Sequence, residues 1–468
     1  MASEELLLLS LTELSRLLRE KITSPVELVE AYLKRIEALD PKLHAYITVF
    51  GEKALEQARV AEKEILRGHT KGPMQGIPVG VKDQLQVDGC ASTYGSYFTP
   101  EIAQDDSTVV AHLKESGAII LGKHNMSEFA MGGNLRFPYG TPHNPWNPEH
   151  EAGHSSGGSA VAVAASLCAG AVGEDTGGSI RIPASWCGIT GLRPTWGRVS
   201  RYGMLGVAWF MDQAGPIAKT AEDCALIFES IAGHDPKDPY TSKRPSKLGP
   251  IVDTIAGLRI GVIKESMDSE LLDPEVGSSL GTALEVLASA GANLTSVSVP
   301  LFSSGGLISA TVTDVNGSFL HRKRLQTAPD KYDPASKSRL LAGSIVPAQW
   351  YERALRLRIL MARQINKAME DVDVLITPTM FSTAPKIQAT SGLDSKEKVF
   401  SKFFAARGGT GPFNLAALPA LSIPCGFTTA GLPIGMQIAG RAFDEATILR
   451  VGHGFQQHTK WHSFNPPL

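Results

Sequence analysis

Cysteine is scarce in this chain. The five thiols, Cys90, Cys168, Cys187, Cys224 and Cys425, are odd in number and none stands in a C-x-x-C pair, which argues against a disulfide framework and against a thiolate zinc site. Scattered single thiols suit a reducing compartment, so a cytoplasmic location is expected. An excess of charge of either sign is also missing. Lys plus Arg number 45 against 47 Asp plus Glu, a net charge of -2, so neither a nucleic-acid nor a membrane partner is expected. Long hydrophobic runs are absent as well: no window approaches the roughly eighteen apolar residues of a transmembrane helix. The short run Leu6 to Leu9 follows Glu4 and Glu5 rather than basic residues, unlike an export signal. The 12 histidines show neither H-E-x-x-H nor another ligand spacing on one helix, and no metal or cofactor is expected.

What is present is enough chain for a large core. At 468 residues the protein exceeds the usual single-core limit, so two domains or one wide α/β unit is expected. The first 65 residues or so read as helices. Ser10-Leu-Thr-Glu13 and Ser24-Pro-Val-Glu27 are capping boxes, the second with proline at the first helical position. From Ile77 the texture changes to short apolar runs between glycine-rich turns. Strands are predicted over 79–81, 118–121 and 169–172, with helices over 108–115 and 159–166, an alternation that indicates an α/β core. After a Pro- and Lys-rich connection at 236–250 come a strand at 259–263, a helix at 274–290 and a strand at 294–299. This stretch, about 236–380, is read as an excursion from one sheet, with a domain boundary as the alternative. A strand at 372–376, a hairpin over 420–437 and a helix at 445–457 complete the reading. Residues 301–350 and 380–410 give no clear pattern.

Two loops concentrate glycine with small polar residues: Gly153-His-Ser-Ser-Gly-Gly-Ser159 and Gly173-Glu-Asp-Thr-Gly-Gly-Ser179. Glycine-serine loops are ordinary connectors, but side-chain-free amides also approach a ligand closely, and two such loops in 27 residues point to a site. Gly153-His-Ser-Ser-Gly157 fits the G-x-S-x-G nucleophile elbow, yet the polar, proline-broken residues before it are not the apolar strand an elbow needs. Gly117-Ala-Ile-Ile-Leu-Gly122-Lys123-His124 is a phosphate-loop near miss; its apolar middle reads as a strand and His124 replaces the magnesium-binding hydroxyl. Lys82 ends the apolar strand of Gly76-Ile-Pro-Val-Gly-Val-Lys82-Asp83. Either it reaches solvent or it is buried, and burial would lower its pKa and make it a usable base.

Taken together, these segments resemble the amidase signature family over nearly the whole chain. The most specific block is 153–194, including Gly173-Glu-Asp-Thr-Gly-Gly-Ser-Ile-Arg-Ile-Pro183 and Cys187-Gly-Ile-Thr-Gly-Leu-Arg-Pro194, and Gly76 to Asp83, Gly122 to Gly133 and Leu432-Pro-Ile-Gly-Met-Gln437 match too. The resemblance implies a large mixed β-sheet flanked by helices. It also implies a catalytic triad: Lys82 as base, Ser155 as proton relay from a cis peptide, and Ser179 as nucleophile. Backbone amides over Thr176, Gly177, Gly178 and Ser179 would form the oxyanion hole. The activity implied is hydrolysis of amides, anilides, and by the same attack esters or carbamates, through an acyl-enzyme. The alternative is a glutamine-hydrolysing component of an amidotransferase complex. Two residues depart from the pattern. His154 stands where many members have glycine, and Arg407 where the glutamine-hydrolysing members carry an acidic anchor. The substrate pocket is expected beyond Ser179, walled by Met131, Gly132 and Gly133, by 207–211 with Trp209, Phe210 and Met211, and by the segments 301–350 and 380–410, the latter with Phe403 and Phe404. The partner expected is a small amide-type substrate, acting on a monomer or homodimer.

Overall fold

Short apolar segments bounded by turns become strands of one sheet because each is too short to bury a helical face alone and is flanked by residues that break helices. The computed structural model describes residues 3–388 and 409–468. Apart from a short pair, Ala91–Ser92 with Glu101–Ile102, its strands are β1 (Tyr46–Val49), β2 (Pro78–Lys82), β3 (Ile119–His124), β4 (Gly170–Glu174), β5 (Thr190–Arg193), β6 (Ala214–Ala218), β7 (Arg259–Ile263), β8 (Asn293–Val297), β9 (Val374–Pro378), β10 (Ala420–Phe427) and β11 (Pro433–Ala439). They form a single 11-stranded sheet in the order β1-β3-β2-β4-β6-β5-β10-β11-β9-β7-β8. β3, β2 and β4 run parallel, as do β9, β7 and β8. Between these two parallel wings the pairs from β4 through β6, β5, β10 and β11 to β9 are antiparallel. This is the large mixed sheet flanked by helices that was expected.

The predicted strands 79–81, 118–121, 169–172 and 259–263 and the hairpin 420–437 all lie in this sheet, most of them extended by a residue or two. The strands of the 236–380 stretch join it at its far end, β8 forming the edge. The phosphate-loop near miss is the strand β3. Helix Pro25–Leu43 starts with the capping box at Ser24, whose side chain accepts from the amide of Glu27 while Glu27 accepts from that of Ser24. The stretch 301–350 contains the helices Gly305–Thr327 and Pro334–Ile345 and the start of helix Ala348–Ala368. Among the described residues no helix is long and apolar enough to cross a membrane, and all five cysteines are free thiols.

Candidate active site

Lys82 ends β2 with no exposed surface. Its Nζ lies 2.7 Å from Ser155 Oγ, 3.2 Å from Glu174 Oε2 and 3.5 Å from the Glu174 carbonyl. Burial pushes the lysine's pKa down, against the raising effect of Glu174, which is the environment a lysine base requires. Ser155 is fully buried and follows a cis His154–Ser155 peptide bond. Its carbonyl accepts from the amide of Ser127 at 3.2 Å. No strand precedes Ser155, so the nucleophile-elbow geometry is not formed.

Ser179 lies half-buried on the loop after β4, and the amide of Ser156 donates to its carbonyl at 3.3 Å. That contact brings the two serine loops side by side. The loop is held from beneath by Asp175, a buried carboxylate that accepts from the amides of Gly178 at 2.8 Å and Ile180 at 3.3 Å. Arg181 reaches both Asp175 oxygens at 3.0 Å, and the Asn414 amide donates at 2.6 Å. Burial works upward on the Asp175 pKa, but the guanidiniums of Arg181 and Arg193 outweigh it and hold the carboxyl far below its usual range. Gly178 adopts φ +119°, and a Cβ there would run into Thr410, so only glycine fits this turn. Because the Gly178 amide is committed to Asp175, the loop amides without a partner among the described residues are those of Thr176, Gly177 and Ser179.

The structure divides the expected pocket residues. Met131 is buried against Phe129 and Tyr332, and Arg339 donates to its carbonyl. Gly132 and Gly133 follow with φ of +74° and +72°, and a Cβ on Gly132 would come 3.3 Å from His154 Cβ, so this turn abuts the Ser155 loop. Phe210, by contrast, fills a core cluster with Met211, Phe302 and Phe413. Trp209 is 51% exposed among Trp196, Phe210 and Tyr240. Phe403, Phe404 and Arg407 lie outside the described residues. Reading the sequence missed three contributors. Asn134, just past the glycine turn, has both side-chain polar atoms buried and without partners. Glu174 and Asp212 flank the Thr176 hydroxyl, at 2.5 and 2.7 Å. Glu174 and Thr176 stood inside a quoted motif, but nothing local in it signals that a lysine 92 residues earlier would be the neighbour. Among the described residues no group of three His, Cys, Asp or Glu could hold a metal ion.

Comparison with known proteins shows the family to which this fold belongs. The Amidase family model matches residues 27–449. The chain is 40% identical to the A subunit of glutamyl-tRNA(Gln) amidotransferase from Thermosynechococcus vestitus, over 97% of this chain and 99% of the relative. Among solved structures, one described as a vestigial protein complex revealing the evolutionary origins of an s-triazine catabolic enzyme superposes with TM-score 0.88 at 32% identity, covering 96% of this chain and 98% of that one. The native peptide amidase of Stenotrophomonas maltophilia superposes with TM-score 0.82 at 28% identity, covering 96% and 97%. The amidotransferase relatives correct one expectation. They are subunits of a larger assembly that acts in connection with a tRNA, which overturns the picture of a monomer or homodimer whose only partner is a small amide. With the family model spanning most of the chain and a relative this similar along its full length, the chain belongs to the amidase family, the group marked by the amidase signature.

Proposed function

We propose that the protein hydrolyses an amide-type C–N bond through an acyl-enzyme on Ser179, in the reducing, cytoplasmic setting that its free thiols suit. A serine hydroxyl is a weak nucleophile until a base takes its proton. Ser155 accepts that proton from Ser179 and passes it to neutral Lys82, and the resulting ammonium returns it to the departing amine. The amides of Thr176, Gly177 and Ser179 face the carbonyl oxygen as negative charge develops, each worth on the order of 3 kcal/mol. Water then releases the acyl group by the same route in reverse. The observation that carries this reading is the 2.7 Å contact between Lys82 and Ser155, both without solvent exposure. Neutral amides and anilides are the favoured substrates, with esters and carbamates open to the same attack, since Arg407 replaces an acidic anchor for a free ammonium group.

A second reading, glutamine hydrolysis within an amidotransferase, is favoured by full-length similarity to the glutamyl-tRNA(Gln) amidotransferase relatives. Trapping with a serine-directed phosphonate and mapping the adduct tests the nucleophile: label on Ser179 is expected, and label on Ser155 would overturn the assignment. The ratio of kcat/KM for a neutral anilide to that for glutamine separates the two substrate readings.

A further inference from the structure

A hydroxyl has one hydrogen to give. Thr176 Oγ1 sits between two buried carboxyl groups, 2.5 Å from Glu174 Oε1 and 2.7 Å from Asp212 Oδ1, so it donates to one and accepts from the other. One of those two carboxyls therefore bears a proton. Asp212 already accepts from the amides of Val207 at 2.8 Å and Ala208 at 2.9 and 3.1 Å, contacts that favour a carboxylate. Among the described residues no backbone amide reaches the Glu174 side chain, so the proton belongs on Glu174 Oε1, directed at Thr176. Oε2 is then an acceptor facing Lys82 at 3.2 Å. A neutral amine fits its surroundings fully: its lone pair accepts from the Ser155 hydroxyl, and its two N–H groups point to Glu174 Oε2 and the Glu174 carbonyl. The charged groups acting on Glu174 are Lys82, Asp212, Asp175 and Arg193, and Asp175 is neutralised by Arg181 and Arg193. Burial raises the Glu174 pKa and lowers that of Lys82, each against the pull of the other's charge; both directions disfavour the ion pair.

We propose that Glu174 is a positioning residue for the Lys82 base, a carboxylic acid at rest that gives up its proton through Thr176 to Asp212 as Lys82 takes one from Ser155. The proposal rests on the assignment of Lys82, Ser155 and Ser179 made above. Lys82 gains one hydrogen, Glu174 Oε1 loses one to Thr176 Oγ1, and Thr176 passes its own to Asp212 Oδ1. The new ammonium thus forms beside a new carboxylate, and the group as a whole gains only the proton that left Ser179. The reverse transfer restores the neutral pair when the leaving amine is protonated.

Infrared difference spectroscopy tests the resting state. At neutral pH the native protein should show a carboxylic-acid carbonyl stretch that Glu174→Gln lacks; identical spectra in that region overturn the proposal. Lys82→Met supplies a second arm that does not depend on Glu174→Gln folding. The stretch should persist there, whereas a stretch appearing only in Lys82→Met reveals a native ion pair and defeats the proposal. In kinetics, Glu174→Gln should lower kcat on the order of a hundredfold with KM unchanged and move the acid limb of the pH profile to lower pH, because protonated Lys82 has lost its carboxylate. An unmoved limb marks a packing role and overturns the relay. If Lys82→Ala kept normal turnover, the base assignment would fall while the infrared result stood, so the two readings fail separately.

Discussion

Two lysines end adjacent parallel strands, Lys82 on β2 and Lys123 on β3, with Val81 opposite Lys123 and Lys82 opposite His124. Both are wholly buried beside a carboxyl group, and burial lowers the pKa of each. What differs is the company. Lys123 meets three acceptors, Asp83 Oδ1 at 2.9 Å, the Ala91 carbonyl at 3.0 Å and Ser92 Oγ at 2.8 Å, enough to use all three hydrogens of an ammonium. Asp83 in turn accepts from the amides of Thr93 and Tyr94 and from the Thr93 hydroxyl. Lys82 has the same three kinds of neighbour, but its carboxyl, Glu174, accepts from no backbone amide among the described residues, and its serine, Ser155, stands in the loop that is hydrogen-bonded to that of Ser179. Burial alone does not make a lysine a base; the nature of its neighbours does.

The comparison is most strongly tested by exchanging the losses. Lys82→Ala should lower kcat by about a thousandfold or more with little change in the melting temperature, and Ser179→Ala should match it. Activity of the native protein should fall on acidification, since below its folded pKa Lys82 is an ammonium and accepts nothing. Lys123→Met should do the opposite, leaving Asp83 buried and unpaired at a cost of about 3–5 kcal/mol, read as a lower urea midpoint, while the folded fraction turns over near the native rate. Loss of turnover at undiminished stability in Lys123→Met would erase the distinction between the two strand ends.

A smaller effect separates the same pair of strands by pH. His124 lies under β2, where a Cβ on Gly80 would collide with its ring, and burial lowers its pKa to about 3. The unfolded chain protonates this histidine near its ordinary value of 6.5 while the native protein does not. Stability is therefore complete above that value and lost as pH falls towards about 3, at up to about 1.4 kcal/mol per pH unit. His124→Gln should show a shallower acid slope in chemical denaturation than the native protein; an equal slope would remove His124 as the source. The smallest effect is expected at His154. Its Nε2 lies 2.8 Å from Glu151 and its Nδ1 3.2 Å from Ser127 Oγ in a partly exposed position, where such contacts are worth about 1 kcal/mol or less. His154→Ala should change kcat/KM only a few-fold, and a thousandfold loss would move His154 into the reacting group.

Much of the sheet was legible because its parallel strands are short runs of Val, Ile and Leu. Tyr46–Val49 escaped although Tyr-Ile-Thr-Val suits a strand, because it lies within a stretch read as helical, whereas two others have compositions that argue against them. Thr190–Arg193 contains a glycine and a buried arginine, and Ala214–Ala218 reads Ala-Gly-Pro-Ile-Ala yet lies mid-sheet between β4 and β5. Glycine and proline are local discouragements that tertiary burial overrode. Helix Gly305–Thr327 escaped for a different reason: its apolar and polar residues are not sorted onto separate faces, although one side is buried. In the site, Lys82, Ser155 and Ser179 were legible through motifs, and Lys82 and Ser155 do meet. The Phe210 side chain was not, because an aromatic residue in a glycine-rich stretch gives no sign of whether a core or a pocket receives it. The partners of Lys82 and Thr176 were likewise invisible, since they depend on which strands become neighbours.

Arg181 makes one further difference to how the molecule comes into being. It stands two residues after Ser179 and donates to the Thr410 carbonyl at 3.2 Å, Asn414 Oδ1 at 2.5 Å and Gln437 Oε1 at 2.6 Å. All three partners are encoded in the last seventh of the chain. A ribosome adding about 5–20 residues per second needs roughly ten seconds to a minute between making Ser179 and making Gln437. Throughout that interval the Ser179 loop has its Asp175 contacts within reach but lacks these three partners of Arg181. The nascent chain thus presents Ser179 before these three bonds can exist, and the loop gains its full set of hydrogen bonds only when the final hairpin arrives.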